Sequence, residues 1–356
     1  MQHFDIERND PNVSIEEIKA AVENEMKGPG QLLGYRALHL KIRQEYGLKV
    51  KRDLVYAAMV DIDYDSVKSR QPRKKQKKQK QEFKSCGPNW LFSLDGHDKL
   101  MGYQNDTFPI AIYGCIDTAS RKIMWLKAWE SNSKPELIGR WYFDYLYETR
   151  TLPNRIRLDK GTETGVMATM HSFLRSVQED MTGNDENNAC DKVLFGPSTS
   201  NKIERWWKEL HERLEMFYKS GLRNLVDTGH YDRTNDLHRK MLSFVMVPVI
   251  QREIDIFKDK VWNVHRVRSQ KDVALPAGVP NHIYDFPEEY NLEPDRGFQV
   301  NDEQLREVAD YSGILDHGND FLDNDMRVQF EQIIPYPENI KNQDCFTKYL
   351  YLKNNL

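Results

Sequence analysis

WLFSLDGHDKLMGYQNDTFPIAIYGCIDTASRKIMWLKAW, residues 90–129, decides how the rest of the chain is read. Trp90–Leu94 predicts a strand that ends at Asp95, followed by a polar excursion through Pro109. Ile110–Ile116 predicts a second strand, Asp117-Thr118-Ala119-Ser120 a turn, and Lys122–Trp129 a third strand. Short aromatic and β-branched runs separated by polar turn formers are the signature of a β-meander.

On the C-terminal side the period changes. Ser133 to Arg150 is helical, with Leu137, Trp141 and Tyr145 on one face, and Pro153 stops it. Arg155–Leu158 is a short strand ending at Asp159, and a helix follows across Gly165–Gln178. After the polar loop MTGNDENNACD, Val193–Phe195 is a candidate fifth strand. Ser200 to Tyr218 forms a strong helix whose stripe is Ile203, Trp207, Leu210, Leu214 and Phe217, and Asp232 to Trp262 continues mainly helical. The order β-β-β-α-β-α-β-α predicts an α/β domain, a mixed five-stranded sheet flanked by helices. That layout is similar to an RNase H-like domain.

On the N-terminal side, Ser14 to Lys27 opens with a capping box, Ser14 with Glu17, and carries the stripe Ile15, Ile18 and Val22. Tyr35, Leu38, Ile42 and Tyr46 mark a second helix that Gly47 ends in a left-handed conformation. Leu54, Val55, Ala58 and Met59 mark a third, opening near Lys51. Two helices joined by a glycine-containing turn, the second beginning with Lys51 and Arg52, suit a helix-turn-helix that presents cations to DNA. A plain helical hairpin packed on protein remains the alternative at this point. Residues 68–84, KSRQPRKKQKKQKQEFK, hold nine Lys/Arg against one acid and predict an extended basic linker. Its Lys74 and Lys75 are candidate phosphate contacts, and the run also resembles a nuclear-import signal. The expected division is therefore a helix-turn-helix-like domain over 1–66, the basic linker over 67–88, a catalytic core over 89–270 and an acidic tail over 271–356, in which no clear period is legible.

The formal charge of −4 is misleading until it is divided. From Pro276 to Leu356 there are 16 Asp/Glu against 6 Lys/Arg, a balance of −10, so residues 1–275 carry +6. Acidity is confined to the tail and the remainder is basic, as nucleic-acid partners require. No apolar run is long enough to span a bilayer, so no membrane partner is expected. The four cysteines, Cys86, Cys115, Cys190 and Cys345, form no CxxC and no Cys/His cluster, which argues against a zinc module or a disulfide framework.

Phosphoryl transfer on DNA requires two metal ions roughly 3.5–4 Å apart, one activating the attacking oxygen and one stabilising the leaving oxygen. Magnesium takes hard oxygen ligands, so such a site is built from converging carboxylates. Asp95 at the end of the first strand, Asp159 at the end of the fourth and Glu204 on the helix that crosses the sheet edge occupy the three required places. They are 64 and 45 residues apart, which leaves room for the intervening β-β-α and α-β units. Lys160 follows Asp159, and Lys202, Arg205 and Lys208 flank Glu204 as candidate DNA-backbone contacts; a helix-surface ladder of ion pairs is the plainer reading of that group. Asp117 reads as a turn former, Asp98 and Glu163 as solvent-facing loop acids, and His97 as a loop histidine. Of Trp206 and Trp207, one is expected in the core and one partly exposed.

The stretches LDGHDKL (94–100), GCIDTASRKIMWLKAW (114–129), RLDKGTET (157–164) and STSNKIERWW (198–207) resemble the integrase core domain of retroviral integrases and related transposases. They are similar in particular to a group of integrase-core proteins in animal genomes. WNVHRVR (262–268) and GYRALHLKIRQEYGL (34–48) extend the likeness, which covers roughly residues 34–285. The resemblance implies an Asp95, Asp159 and Glu204 triad binding two Mg²⁺ or Mn²⁺ ions for cleavage and strand transfer. It also implies duplex DNA, transposon ends in particular, as the partner, with a homo-oligomer acting in the nucleus. A catalytically idle nucleic-acid-binding protein of transposon origin is the second implied class, and cleavage of an RNA–DNA hybrid a third. The chain departs from the family in having no His/His/Cys/Cys module, an acidic rather than basic end, Thr164 where Asn is common and Phe92 where Trp is usual.

Overall fold

In a computed structural model, the described residues are 10, 13–69, 86–102, 106–181, 188–196, 203–268 and 275–356. Lys74, Lys75 and Lys202, and nearly all of the basic run, lie outside them. The chain begins with helices α1 (Ile15–Met26), α2 (Tyr35–Glu45), α3 (Arg52–Ile62) and the short α4 (Tyr64–Ser69). Strands β1 (Leu91–His97), β2 (Ala111–Asp117) and β3 (Ile123–Trp129) follow, then α5 (Pro135–Thr149), the two-residue β4 (Thr151–Leu152), β5 (Arg155–Leu158), α6 (Gly165–Ser176) and β6 (Val193–Phe195). Next come α7 (Ile203–Leu210), a π-helical turn (His211–Glu215), α8 (Met216–Asp227), α9 (Asp236–Ile256) and a second π turn (Phe257–Trp262). The C-terminal part adds α10 (Pro280–Asp285), β7 (Phe298–Gln299), α11 (Asp302–Ser312), α12 (Asn324–Ile333) and α13 (Cys345–Asn355).

Five strands form one sheet in the order β3-β2-β1-β5-β6. The first three pair antiparallel, and β5 and β6 join in parallel. Alternation along the strands explains the layering, because successive side chains face opposite sides of a sheet. Phe92, Leu94, Tyr113, Cys115 and Trp125 enter one apolar cluster, with α5, α6 and residues Leu305, Val308 and Ala309 of α11. Ile112, Ile116, Leu126 and Ala128 enter the other, with α7 to α9 and α13. With helices on both faces, β2 is buried at every position. The mixed five-stranded sheet and its helical layers are those expected of an RNase H-like fold.

The N-terminal helices join the second cluster through Ile18, Val22, Leu38, Ile42, Val55 and Met59. The Ser14–Glu17 capping box starts α1, and Gly47, at φ +67°, follows the end of α2. Lys41 of α2, 5% exposed, ion-pairs with Glu25 of α1 at 2.9 Å and Glu253 of α9 at 3.3 Å, so three helices meet at one buried cation.

Three differences from the sequence reading have physical causes. Asp95 lies inside β1 rather than at its end, because Gly96 and His97 go on pairing with Tyr113 and Ile112. The helix expected to end at Tyr218 runs to Asp227, interrupted by the π turn. The acidic C-terminal part, where no period was legible, carries α10 to α13. It is fastened to the sheet domain by the β4–β7 pair and by Asn89, whose Nδ2 donates to Asp295 at 2.8 Å and whose Oδ1 accepts from Tyr284 at 2.9 Å.

Candidate active site

Asp95 projects from β1 with 5% exposure, opposite Gly114 of β2. Asp159 is the first residue beyond β5, the strand parallel to β1, and is half-buried. Glu204 is the second residue of α7, exposed, and its place in the first turn suits a carboxylate at the positive end of a helix. Adjacent parallel strands bring the two aspartates to the same end of the sheet, and α7, packed on β1 and β2, brings the glutamate. Burial, then the charges of Glu204 and Asp159, push the Asp95 carboxyl up to about 8, against hydrogen bonds from the Trp207 indole and the Gly96 amide. The charges of Glu204 and Asp159 thus each reach Asp95. Among the described residues, however, no group of three or more His, Cys, Asp or Glu side chains is arranged to hold a metal ion.

Trp207 is the closest neighbour of Asp95 whose role the sequence did not announce. Its Nε1–H donates to Asp95 Oδ2 at 3.2 Å, and its ring stacks on His97 with centroids 4.7 Å apart and planes 13° from parallel. Both tryptophans of the pair are buried at 2% exposure, which corrects the expectation that one would be partly exposed. Trp206 faces the other way, against Phe257 and Trp262. His97 is likewise a strand residue and not a loop histidine: it is 6% exposed, with Nε2 2.8 Å from Glu215 Oε1. Glu215 is fully buried, and its Oε2 lies 2.9 Å from His211 Nδ1. Burial pushes the Glu215 carboxyl up, but the two imidazoles more than offset this and hold it below its ordinary range. His97 and Glu215 lie on different elements 118 positions apart, so only the fold could reveal that they meet.

The other acids divide. Asp117 is the turn former expected: its carboxylate accepts from the Asn89 and Ser120 amides at 3.0 and 2.8 Å and from the Ser120 hydroxyl at 2.5 Å. Asp98 accepts from Asn132 Nδ2 at 2.7 Å. Glu163 is not simply solvated. Burial, with the charges of Asp159 and Asp98, raises its carboxyl, and it folds back so closely over Gly161 that a Cβ there would fall 1.9 Å from its Oε1.

Of the candidate DNA-contacting cations, Lys160 is exposed beside Asp159, and Arg205 is exposed beside Glu204. Lys208 is 61% exposed and pairs with Glu212 at 3.5 Å, while Arg213 pairs with Glu209 at 2.8 Å, so α7 does carry the helix-surface ladder. Lys51 and Arg52 are exposed at the start of α3, at a distance from the triad along the chain and on another element. The WNVHRVR stretch has a structural use. Asn263 bonds both the amide and the carbonyl of Ile123 at 2.9 Å, closing the end of β3, and Trp262 Nε1 donates to Arg121 O at 2.8 Å.

Asp95, Asp159 and Glu204 offer only hard oxygen, and burial, then the charges of Glu204 and Asp159, raises the Asp95 carboxyl to about 8. Such residues fit Mg²⁺ or Mn²⁺ and do not fit a thiolate- or imidazole-seeking metal. No helix is long and apolar enough to cross a membrane among the described residues. No functionally curated protein matches the chain. A family model described as integrase core domain matches residues 83–284, which takes in the whole five-stranded sheet, the three carboxylates and helices α5 to α9. With more than half the chain matched and the sheet order that such a domain requires, the chain belongs to the integrase core domain family.

Proposed function

We propose that this integrase-family protein is a DNA recombinase in which Asp95, Asp159 and Glu204 hold two divalent cations, Mg²⁺ or Mn²⁺, for phosphodiester cleavage and strand transfer. The observation that carries the reading is the Asp95 carboxyl, raised first by burial and then by the charges of Glu204 and Asp159. Three acids crowded at one sheet end cost stability unless a cation neutralises them, so the arrangement is explained by what it binds. When bound, the two ions would activate the attacking oxygen and stabilise the leaving one.

The chain's own residues do the rest. Asp95, on the central strand of the sheet, would be a ligand of the cations once deprotonated, and the Trp207 indole holds its Oδ2 in place. Asp159 offers its carboxylate from a parallel strand. Glu204 would complete the ligand set from the first turn of α7. Lys160 and Arg205, exposed beside two of the three acids, are placed to meet phosphates of duplex DNA. The α2–α3 pair, with Lys51 and Arg52, serves as a helix-turn-helix for transposon ends, and the basic run, with Lys74 and Lys75, as a nuclear-import signal and backbone contact. Joining two ends calls for a homo-oligomer.

The test is a nicking assay on duplex DNA with Mg²⁺ or Mn²⁺, alongside equilibrium DNA binding. Asp95→Asn and Glu204→Gln are expected to abolish divalent-dependent nicking and leave DNA binding nearly intact. Equal activity in the variants ends the assignment. Binding without nicking in the unaltered chain, and no rise in melting temperature with either cation, would leave the idle DNA-binding protein as the better reading.

A further inference from the structure

Glu215 lies eleven residues beyond Glu204, outside the triad and without contact to it, yet it is a fully buried carboxylate in a polar cluster. Glu204, Trp207, His211 and Glu215 recur at i, i+3, i+7 and i+11, which keeps them on one side of the helix. Between His211 and Glu215 that helix widens into a π turn, a rare local form found preferentially at functional sites. One carboxylate hydrogen-bonds His211, four residues back on its own helix, at 2.9 Å, and its other oxygen lies 2.8 Å from His97 Nε2 of β1, an ion-pair contact outside hydrogen-bond alignment. His97 then stacks on Trp207, and Trp207 donates to Asp95. The contacts run Glu215, His97, Trp207, Asp95, and both ends of the run are carboxylates.

We propose that Glu215 is a positioning residue: through His97 it holds the Trp207 indole against Asp95, and so fixes the carboxylate geometry at which a divalent cation binds. This rests on the metal-binding reading of the triad. A well-packed apolar contact would fasten helix to strand as firmly as a buried ionic one. What directional groups add is a fixed orientation, and here it is passed to the residue that must present an oxygen. Gly114, facing Asp95, leaves the space the indole occupies.

The test uses the full chain, Glu215→Gln, which keeps the volume and removes the charge, and Trp207→Phe to assign the Trp207 signal. Two measurements are made: the indole N–H resonance of Trp207 without divalent cation, and the Mn²⁺ concentration giving half-maximal thermal stabilisation. Glu215→Gln is expected to shift the resonance and to raise the Mn²⁺ midpoint at least tenfold. A role confined to packing would lower the melting temperature and move neither. An unmoved resonance and an unmoved midpoint in folded Glu215→Gln overturn the proposal. If the unaltered chain gives no Mn²⁺ response, the metal reading falls and takes the cation half of this proposal with it; the resonance alone then decides whether Glu215 positions Trp207. Should Glu215→Gln fail to fold, His97→Gln carries both measurements with the same expected and opposing results.

Discussion

The indole of Trp207 lies over Gly114, the residue paired with Asp95 across the β1–β2 ladder. A Cβ at position 114 would come within 2.9 Å of Trp207 Cη2 and 2.6 Å of Leu126 Cδ2. The glycine is there because a ring passes above it, and the ring is there because its N–H reaches Asp95 at 3.2 Å. Gly114→Ala is therefore expected to overpack the sheet, at about 1–3 kcal/mol, and to weaken the divalent response. Urea denaturation read with the Mn²⁺ midpoint checks both; native stability in this variant would contradict the packing account.

A pH dependence follows from His171, which is buried with Nδ1 2.8 Å from the Tyr142 hydroxyl. Burial, and then the charge of Arg175, hold its imidazole down to about 3. The unfolded chain, with a histidine near 6.5, takes up this proton first. The stability that neutral His171 contributes is thus complete above about 6.5 and is lost as pH falls toward 3, by at most about 1.4 kcal/mol per pH unit. The midpoint of denaturant unfolding is expected to drop between about pH 7.5 and 5, and His171→Gln to flatten that drop. An identical slope in both proteins would count against the buried neutral form.

Lys41 gives a test of how the N-terminal helices are attached. Lys41→Met leaves Glu25 and Glu253 facing each other without their cation. The expected cost is about 3–5 kcal/mol, because removing one partner strands a buried charge. Adding Glu253→Leu is expected to recover part of the loss, and a double-mutant cycle measures the coupling. Strict additivity would show that the pair is energetically idle.

The opening of α3 is checked by salt. With Lys51 and Arg52 both changed to Ala, DNA affinity is expected to fall, and the slope of log affinity against log salt to flatten by about one per lost phosphate contact. Anisotropy titrations over a range of salt read this directly. A slope unchanged from that of the unaltered chain would assign α2–α3 to packing and not to DNA.

What the sequence disclosed, and what it hid, follows from the range of the interactions. Strands β5 and β6 were legible to the residue, since the alternating run RIRL ending before Asp159 and the short apolar run VLF ending before Gly196 are local signals. The order of elements, and with it the five-stranded sheet that carries Asp95, follows from such signals. Helices α11 and α12 were not legible. α11 buries only Leu305, Val308 and Ala309, and α12 only Phe330, so neither makes a stripe that stands out among acids and prolines. The buried partners of the triad escaped for another reason. His97 and Glu215 are 118 positions apart and meet only through tertiary structure, and Trp207, correctly placed on a buried stripe, gave no hint that its N–H would find a carboxylate.

One apolar cluster contains both Leu38, Ile42 and Val55 of the first helices and Trp207, the residue that donates to Asp95, with Leu210 and Val245. A DNA reader on a tether sweeps a volume and lets its catalytic partner strike at many offsets. Under the proposed function, helices wedged into the same interior as Trp207 would act instead as a fixed gauge. The interval between the sequence gripped by α3 and the phosphate attacked would then be written into the fold, so that breaks fall in a narrow register from the recognised base pairs whatever the length of the basic run between them.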